Sequence, residues 1–131
     1  MIQAAALLAP FAFPAEAAAA LANGVVSPSQ AEHSVESYGE IWRYLNGPTG
    51  LLSSLASGCF RLNPGAAPHP PHAHPDEEIV LFTEGTGEVS IDGKITPVAQ
   101  GSMMYCAADR THGILNTGKT PLTFYYWKWR N

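Results

Sequence analysis

Pro68-His69-Pro70-Pro71-His72-Ala73-His74-Pro75-Asp76-Glu77-Glu78 is the stretch that decides how this chain is read. It packs three histidines and three carboxylates into eleven residues. His72 and His74 are two apart. In extended backbone, residues i and i+2 project to the same face, so their imidazoles stand side by side and can grip one ion. Glu78 keeps that parity and joins them if the strand resumes after Pro75. Thr83-Glu84-Gly85-Thr86-Gly87, a little further on, reads as a turn.

A further ligand has to come from elsewhere in the chain. Besides the pair, the histidines are His33, His69 and His112, and only His112 follows a strand-like run, Ser102 to Tyr105. Imidazole and carboxylate together suit zinc, copper, iron, manganese or nickel. Facing pairs from separate strands can build such a site inside a β-barrel.

The spacing around these residues resembles the two sequence motifs of the cupin family. The first is His72-x-His74, three residues, Glu78, six residues, Gly85, with Gly65 ahead of it. The second is Gly101, five residues, Ala107-Ala108-Asp109, two residues, His112, three residues, Asn116. Proline and glycine usually stand in the family where this chain has Ala107 and Asp109. The departures alter the turn before His112 and leave all four ligand positions filled. The resemblance implies an all-β, single-domain double-stranded β-helix, the jelly-roll barrel, over residues 23–131. It also implies that His72, His74, Glu78 and His112 converge on one transition-metal ion. With copper, Glu78 would hang back and leave the three histidines as the core set.

A chain of 131 residues suffices for one domain with one core. A formal charge of −4 offers no electrostatic case for nucleic acid. Charged residues are 14% of the chain, which is sparse for a soluble surface. Together with aromatics in excess of one small core, that sparseness suggests a homodimer. Cys59 and Cys106 each sit in a strand-like run, where a buried free thiol is the common outcome; a bridge between them is the alternative.

Residues 1–22 differ from the rest. Ile2 to Phe13 is apolar apart from Gln3, and Pro10 and Pro14 interrupt the segment, so it is too short and broken to span a bilayer. It resembles the apolar and cleavage regions of a secretory signal without the positive leading region. Export to the periplasm or medium is therefore expected. A packed element or an apolar dimer arm in a cytoplasmic protein is the other reading.

Asn23 to Glu40 is polar and turn-rich and reads as a connector. Ile41 to Leu45 alternates and reads as the first barrel strand. Leu51 to Leu62 is one long strand or two short ones. In Ile79 to Thr83, Ile79 and Leu81 face one way while Val80 and Phe82 face the other, beneath Glu78. Val89-Ser90-Ile91, Asp92-Gly93 and Lys94-Ile95-Thr96 spell a hairpin, because Asp-Gly accepts positive φ at both turn positions. Pro97 belongs at a strand end or edge. Ser102 to Cys106, Gly113 to Leu115 and Pro121 to Trp129 complete the strands, and many short strands with frequent turns indicate a sandwich or barrel.

Several residues have candidate roles near the ligands. His69 is an exposed loop histidine or a substrate contact at the barrel mouth. Asp76 and Glu77 are solvated or orient ligands, and Glu77 could replace Glu78 if the strand bulges. Met103, Met104 and Tyr105 read as core-lining, with Tyr105 able to donate a hydrogen bond within the pocket. Tyr125, Trp127 and Trp129 share one strand face and Phe124 and Tyr126 the other; Trp127 could stack on a sugar ring or serve packing.

Three functions fit this reading. The first is an oxidoreductase with a redox-active ion, copper or iron, cleaving an extracellular polysaccharide such as cellulose. The second is a redox-neutral isomerase or lyase on a small hydroxy- or keto-acid, with the metal as Lewis acid. The third is a non-catalytic module that binds a small ligand.

Overall fold

The computed structural model describes residues 17–131, and the leader-like segment expected over 1–22 lies largely outside the described residues. Nine strands follow in chain order: β1 (Glu32–Glu36), β2 (Gly39–Gly47), β3 (Ser54–Leu62), β4 (Glu77–Glu84), β5 (Thr86–Ile91), β6 (Lys94–Ala99), β7 (Met103–Cys106), β8 (His112–Leu115) and β9 (Leu122–Arg130). Two antiparallel sheets result, one of order β1-β2-β3-β9-β4-β7 and one of order β6-β5-β8. Among the described residues there is no helix, and hence none long and apolar enough to cross a membrane.

The core lies between the two sheets. Leu62, Val80, Phe82, Met104, Cys106, Leu122 and Phe124 reach it from the larger sheet, and Val89 and Ile114 from the smaller. Alternation explains the selection: Val80 and Phe82 are fully buried while Ile79 and Leu81 are only half-buried, as the period of two requires. Phe60, Phe82 and Phe124 form one aromatic row, with ring centroids 5.2 and 5.5 Å apart along it.

The turns obey local chemistry. Asp92 (φ 48°) and Gly93 (φ 82°) both take the left-handed conformation, as the Asp-Gly hairpin between β5 and β6 demands. Pro97 sits in β6, an edge strand, where its missing N–H costs no ladder bond. Gly85 combines φ 86° with a tight approach, since a Cβ there would overlap the Pro121 carbonyl oxygen; Gly93 has open space around it. Gly93→Ala should therefore cost about 1 kcal/mol, for the left-handed backbone alone. Gly85→Ala should cost clearly more, because β4 or the Pro121 segment must also move. Denaturant unfolding of the two variants reads the difference, and equal losses would contradict it.

Two sequence expectations change and a third is narrowed. Residues 23–40 are not only a connector: Glu32–Glu36 form β1, an edge strand paired with β2 from Glu32↔Arg43 to Glu36↔Gly39. Its residues are almost all exposed, so hydrophobic alternation gave no signal. Leu51 to Leu62 yields one strand, β3, beginning at Ser54. Met103 and Tyr105 do not line the core; they are 65% and 54% exposed on the outer face, and Met104 and Cys106 take the inward positions of β7. Cys59 and Cys106 are both buried and free.

Candidate metal centre

Two pieces of backbone bring the histidines together. His72 and His112 form an isolated antiparallel bridge outside the longer ladders: the His72 N–H donates to the His112 carbonyl (2.9 Å) and the His112 N–H donates to the His72 carbonyl (2.8 Å). A loop rich in proline, which forms few backbone bonds of its own, is thereby clamped to β8. Gly113 allows the fit, because a Cβ there would stand 3.1 Å from the Pro71 ring. Then the Asp109 N–H donates to the His74 carbonyl (2.8 Å), tying the same loop to the turn after β7. Asp109 adopts φ 61°, so aspartate supplies the left-handed residue where glycine is usual in the motif.

At the end of the second motif, Asn116 is fully buried. Its amide donates to the carbonyls of Leu62 (3.1 Å) and Thr120 (2.9 Å), and its side-chain oxygen accepts from the Gly118 N–H (2.9 Å). It holds the exit of β8 against β3.

One ring nitrogen from each of His72, His74 and His112 lies within 4.8 Å of the other two. Glu78, entering β4, places Oε2 between two of them, 3.0 Å from His74 Nε2 and 2.9 Å from His112 Nε2. Each of those rings is held from behind by a carbonyl: His74 Nδ1 donates to Asp76 O (3.1 Å) and His112 Nδ1 to Arg110 O (3.0 Å). Carbonyl acceptors at Nδ1 orient each ring with Nε2 toward the centre, as a metal-ligating histidine requires. Three converging imidazoles with a carboxylate fit one first-row transition-metal ion, and the donor set does not choose among them.

The electrostatics follow from crowding. Burial, then the neighbouring His69, His112 and His74, push the His72 imidazole down to about 4. Burial tends to raise the Glu78 carboxyl, yet hydrogen bonds and charge from His112 and His74 outweigh it and the net shift is downward. The hydrogen bond from His112 to Glu78 raises the His112 imidazole above its ordinary 6.5, against the effect of burial. Metal binding needs unprotonated imidazoles. His112 carries its proton at pH values where an ordinary histidine has lost it, so proton competition begins above pH 6.5 and strengthens as pH falls. His72 adds its own competition only as pH nears 4. Metal affinity measured against a chelator should decline from above pH 6.5 downward and steepen near 4; a flat profile between pH 7 and 5 would contradict this.

The remaining expected site residues divide. His69 lies at the site, its ring stacked on His72 with centroids 3.8 Å apart and Nδ1 bonded to Pro70 O at 2.8 Å. Glu77 points away, accepting a 2.7 Å hydrogen bond from the Tyr105 hydroxyl on the outer face. It therefore does not substitute for Glu78, and Tyr105 donates no hydrogen bond within the pocket; β4 runs regularly through both glutamates, with no bulge to exchange them. Asp76 is buried rather than solvated, with Oδ1 3.6 Å from Arg130 Nε and Oδ2 3.8 Å from His74 Nδ1. Trp127 is on the outer face, opposite Ile79 and Ser57, and lines a separate hollow with Tyr44 and Tyr125. Sequence reasoning missed Arg43 and Lys128, which line the metal-site cavity. Their inward parity with Ile41 and Glu78 was the available signal.

That cavity, about 240 Å³, is lined by Ile41, Arg43, Phe60, Tyr126 and Lys128 besides His69, His72, His74 and Glu78. It has the liquid volume of about eight waters, room for a small molecule.

Comparison with known proteins places these features in context. Residues 58–128 match the cupin domain family (Cupin_2). Dimethylsulfoniopropionate lyase DddW of Ruegeria pomeroyi is 35% identical over 91 residues, covering 68% of this chain. The aligned part spans 59% of that relative's own length. Similar solved structures include an RmlC-like cupin from Shewanella frigidimarina (TM-score 0.63, 18% identity, 84% of this chain and 93% of that one). Another is a sugar phosphate isomerase of the cupin superfamily from Silicibacter pomeroyi (TM-score 0.65, 23% identity, 82% and 76%). At these identities the two structures speak to the fold alone.

Proposed function

This chain belongs to the cupin domain family, and on that premise we propose that it is a redox-neutral, metal-dependent lyase acting on a small carboxylic acid with a leaving group at the β carbon. The observation that carries the reading is the 35% identity to a dimethylsulfoniopropionate lyase, in a chain whose three histidines converge. The relative with a named activity in the sequence comparison is a lyase rather than an oxidoreductase. The copper-dependent polysaccharide cleavage expected from the sequence therefore gives way to the redox-neutral alternative.

His72, His74 and His112 would hold the ion, with Glu78 beside them. The ion would supply Lewis acidity, drawing electron density from the substrate and acidifying the C–H next to its carboxylate. The chain's own residues supply the rest. His69 keeps its Nδ1 proton on the Pro70 carbonyl, which leaves Nε2 as a proton acceptor at the mouth. In the elimination, Nε2 of His69 takes the α proton, the electron pair forms the carbon–carbon double bond, and the bond to the β substituent breaks with its electron pair leaving on that group. Nothing is oxidised or reduced. Phe60 and Ile41 line the wall and limit water.

Purified protein loaded in turn with zinc, iron, manganese or copper should cleave dimethylsulfoniopropionate or a related β-substituted propionate without added reductant or dioxygen. His69→Ala should keep its metal and lose about 100-fold or more in kcat. Cleavage that requires dioxygen or peroxide, or a His69→Ala variant with full kcat, would overturn the respective statement.

A further inference from the structure

One group of side chains in the cavity remains without a role. On the inner face of the large sheet, Arg43 (β2), Gly58 (β3) and Tyr126 (β9) lie in one cross-strand row, since Arg43 pairs with Gly58 and Gly58 with Tyr126. Lys128 follows one pleat later on β9, directly opposite Glu78 on β4. Gly58 leaves a floor across which the tyrosine lies: a Cβ there would stand 2.7 Å from the Tyr126 hydroxyl. The hydroxyl is thus carried toward Arg43 rather than upright into the core.

The cations of this group are weakly engaged. Among the described residues, Arg43 reaches only Glu32 (3.5 Å) and Ser34 (3.4 Å), and Glu32 is largely exposed. Among the described residues, no carboxylate lies within ion-pair distance of Lys128, and the Glu78 oxygen nearest the site is taken by His74 and His112. Arg43 and Lys128 nevertheless line the same small cavity as the histidines, where Glu78 is the one carboxylate of the lining. Two cations against one carboxylate leave the cavity with positive charge before any metal enters, and a metal adds more.

We infer that Arg43 and Lys128 form an acid clamp, which receives the substrate's carboxylate above Gly58 with the Tyr126 hydroxyl donating a third hydrogen bond. The inference deepens the lyase reading and rests on it for the orientation of the substrate. The planar guanidinium can hold both carboxylate oxygens, and the lysine adds a mobile point charge. With the acid group so fixed, the carbon chain runs toward the histidines.

Shift titration by NMR of the isotopically labelled full chain tests the clamp, first stripped of metal so that direct coordination contributes nothing, then metal-loaded. Propionate should bind at least tenfold more tightly than propionamide, which keeps the shape and lacks the charge. Arg43→Gln and Lys128→Met should each weaken propionate about tenfold, with propionamide affinity, metal content and melting temperature unchanged; Arg43→Lys should restore most of the loss. Propionate binding no tighter than propionamide, or unaltered in both variants, would overturn the clamp. Propionate bound as expected in a protein that cleaves no β-substituted propionate would support the clamp while defeating the lyase reading. Cleavage at unchanged KM in Arg43→Gln and Lys128→Met would overturn the clamp while leaving the lyase reading in place.

Discussion

Replacing His112 with alanine is expected to strip any bound metal and abolish the proposed lyase activity, the largest functional effect any single substitution here should have. His112 is the one ligand candidate from the second motif and the most buried of the three histidines. Its Nε2 meets Glu78 at 2.9 Å while its Nδ1 is held by the Arg110 carbonyl. Removing the ring leaves His72 and His74, both on one loop, with Glu78 and no third imidazole. Loss of a group that merely hydrogen-bonds to a ligand typically weakens a metal site about 10- to 100-fold, so removal of the ligand itself should exceed about 100-fold. The backbone bridge to His72 uses main-chain atoms and survives the change, so the fold should persist. Metal content by elemental analysis and circular dichroism check the two halves. A His112→Ala protein that retains stoichiometric metal would refute the site.

Truncating Phe82 to alanine should have the largest effect on stability, a loss of about 3–5 kcal/mol. Phe82 is fully buried and its ring lies 5.5 Å from Phe124, which itself lies 5.2 Å from Phe60. Its backbone also joins the loop between β6 and β7: the Phe82 N–H donates to Ser102 O and its carbonyl accepts from Gly101 N–H. Backbone bonds are kept in the variant, so the loss measures the burial of the deleted ring together with the cavity left behind. Since native domains are stable by only about 5–15 kcal/mol, the variant should be marginal at 25 °C. Urea unfolding reads this directly, and a loss under about 1 kcal/mol would mean that the row repacks around the gap.

The residues that carry local chemistry were legible early. His72 and His74 share a face through the period of extended backbone, Glu78 keeps their parity, and His112 stands at the spacing of the second motif; the fold class follows from the same two motifs and the turn-punctuated strands. Asp92-Gly93 announced its hairpin through its conformational tolerance. At Asp109, the departure from glycine proved compatible with the same left-handed turn. These features depend on a few neighbouring residues, and sequence proximity is enough to specify them.

Other features needed the folded sheet. β1 escaped detection because an exposed edge strand is specified by its partner's free hydrogen-bonding groups rather than by apolar alternation. In Met103-Met104-Tyr105-Cys106 every residue is compatible with burial, and only pairing with β4 turns Met104 and Cys106 inward and Tyr105 outward to Glu77. Likewise β9 offers aromatics on both faces. Its register against β3 and β4 places Tyr126 over Gly58 and Lys128 beside Glu78. A strand's period of two sorts its side chains into two sets, but it carries no sign. Which set faces the core is decided when distant strands pair, so the candidate metal ligands could be read along the chain, whereas the cations facing them emerge only from contacts between residues far apart in sequence.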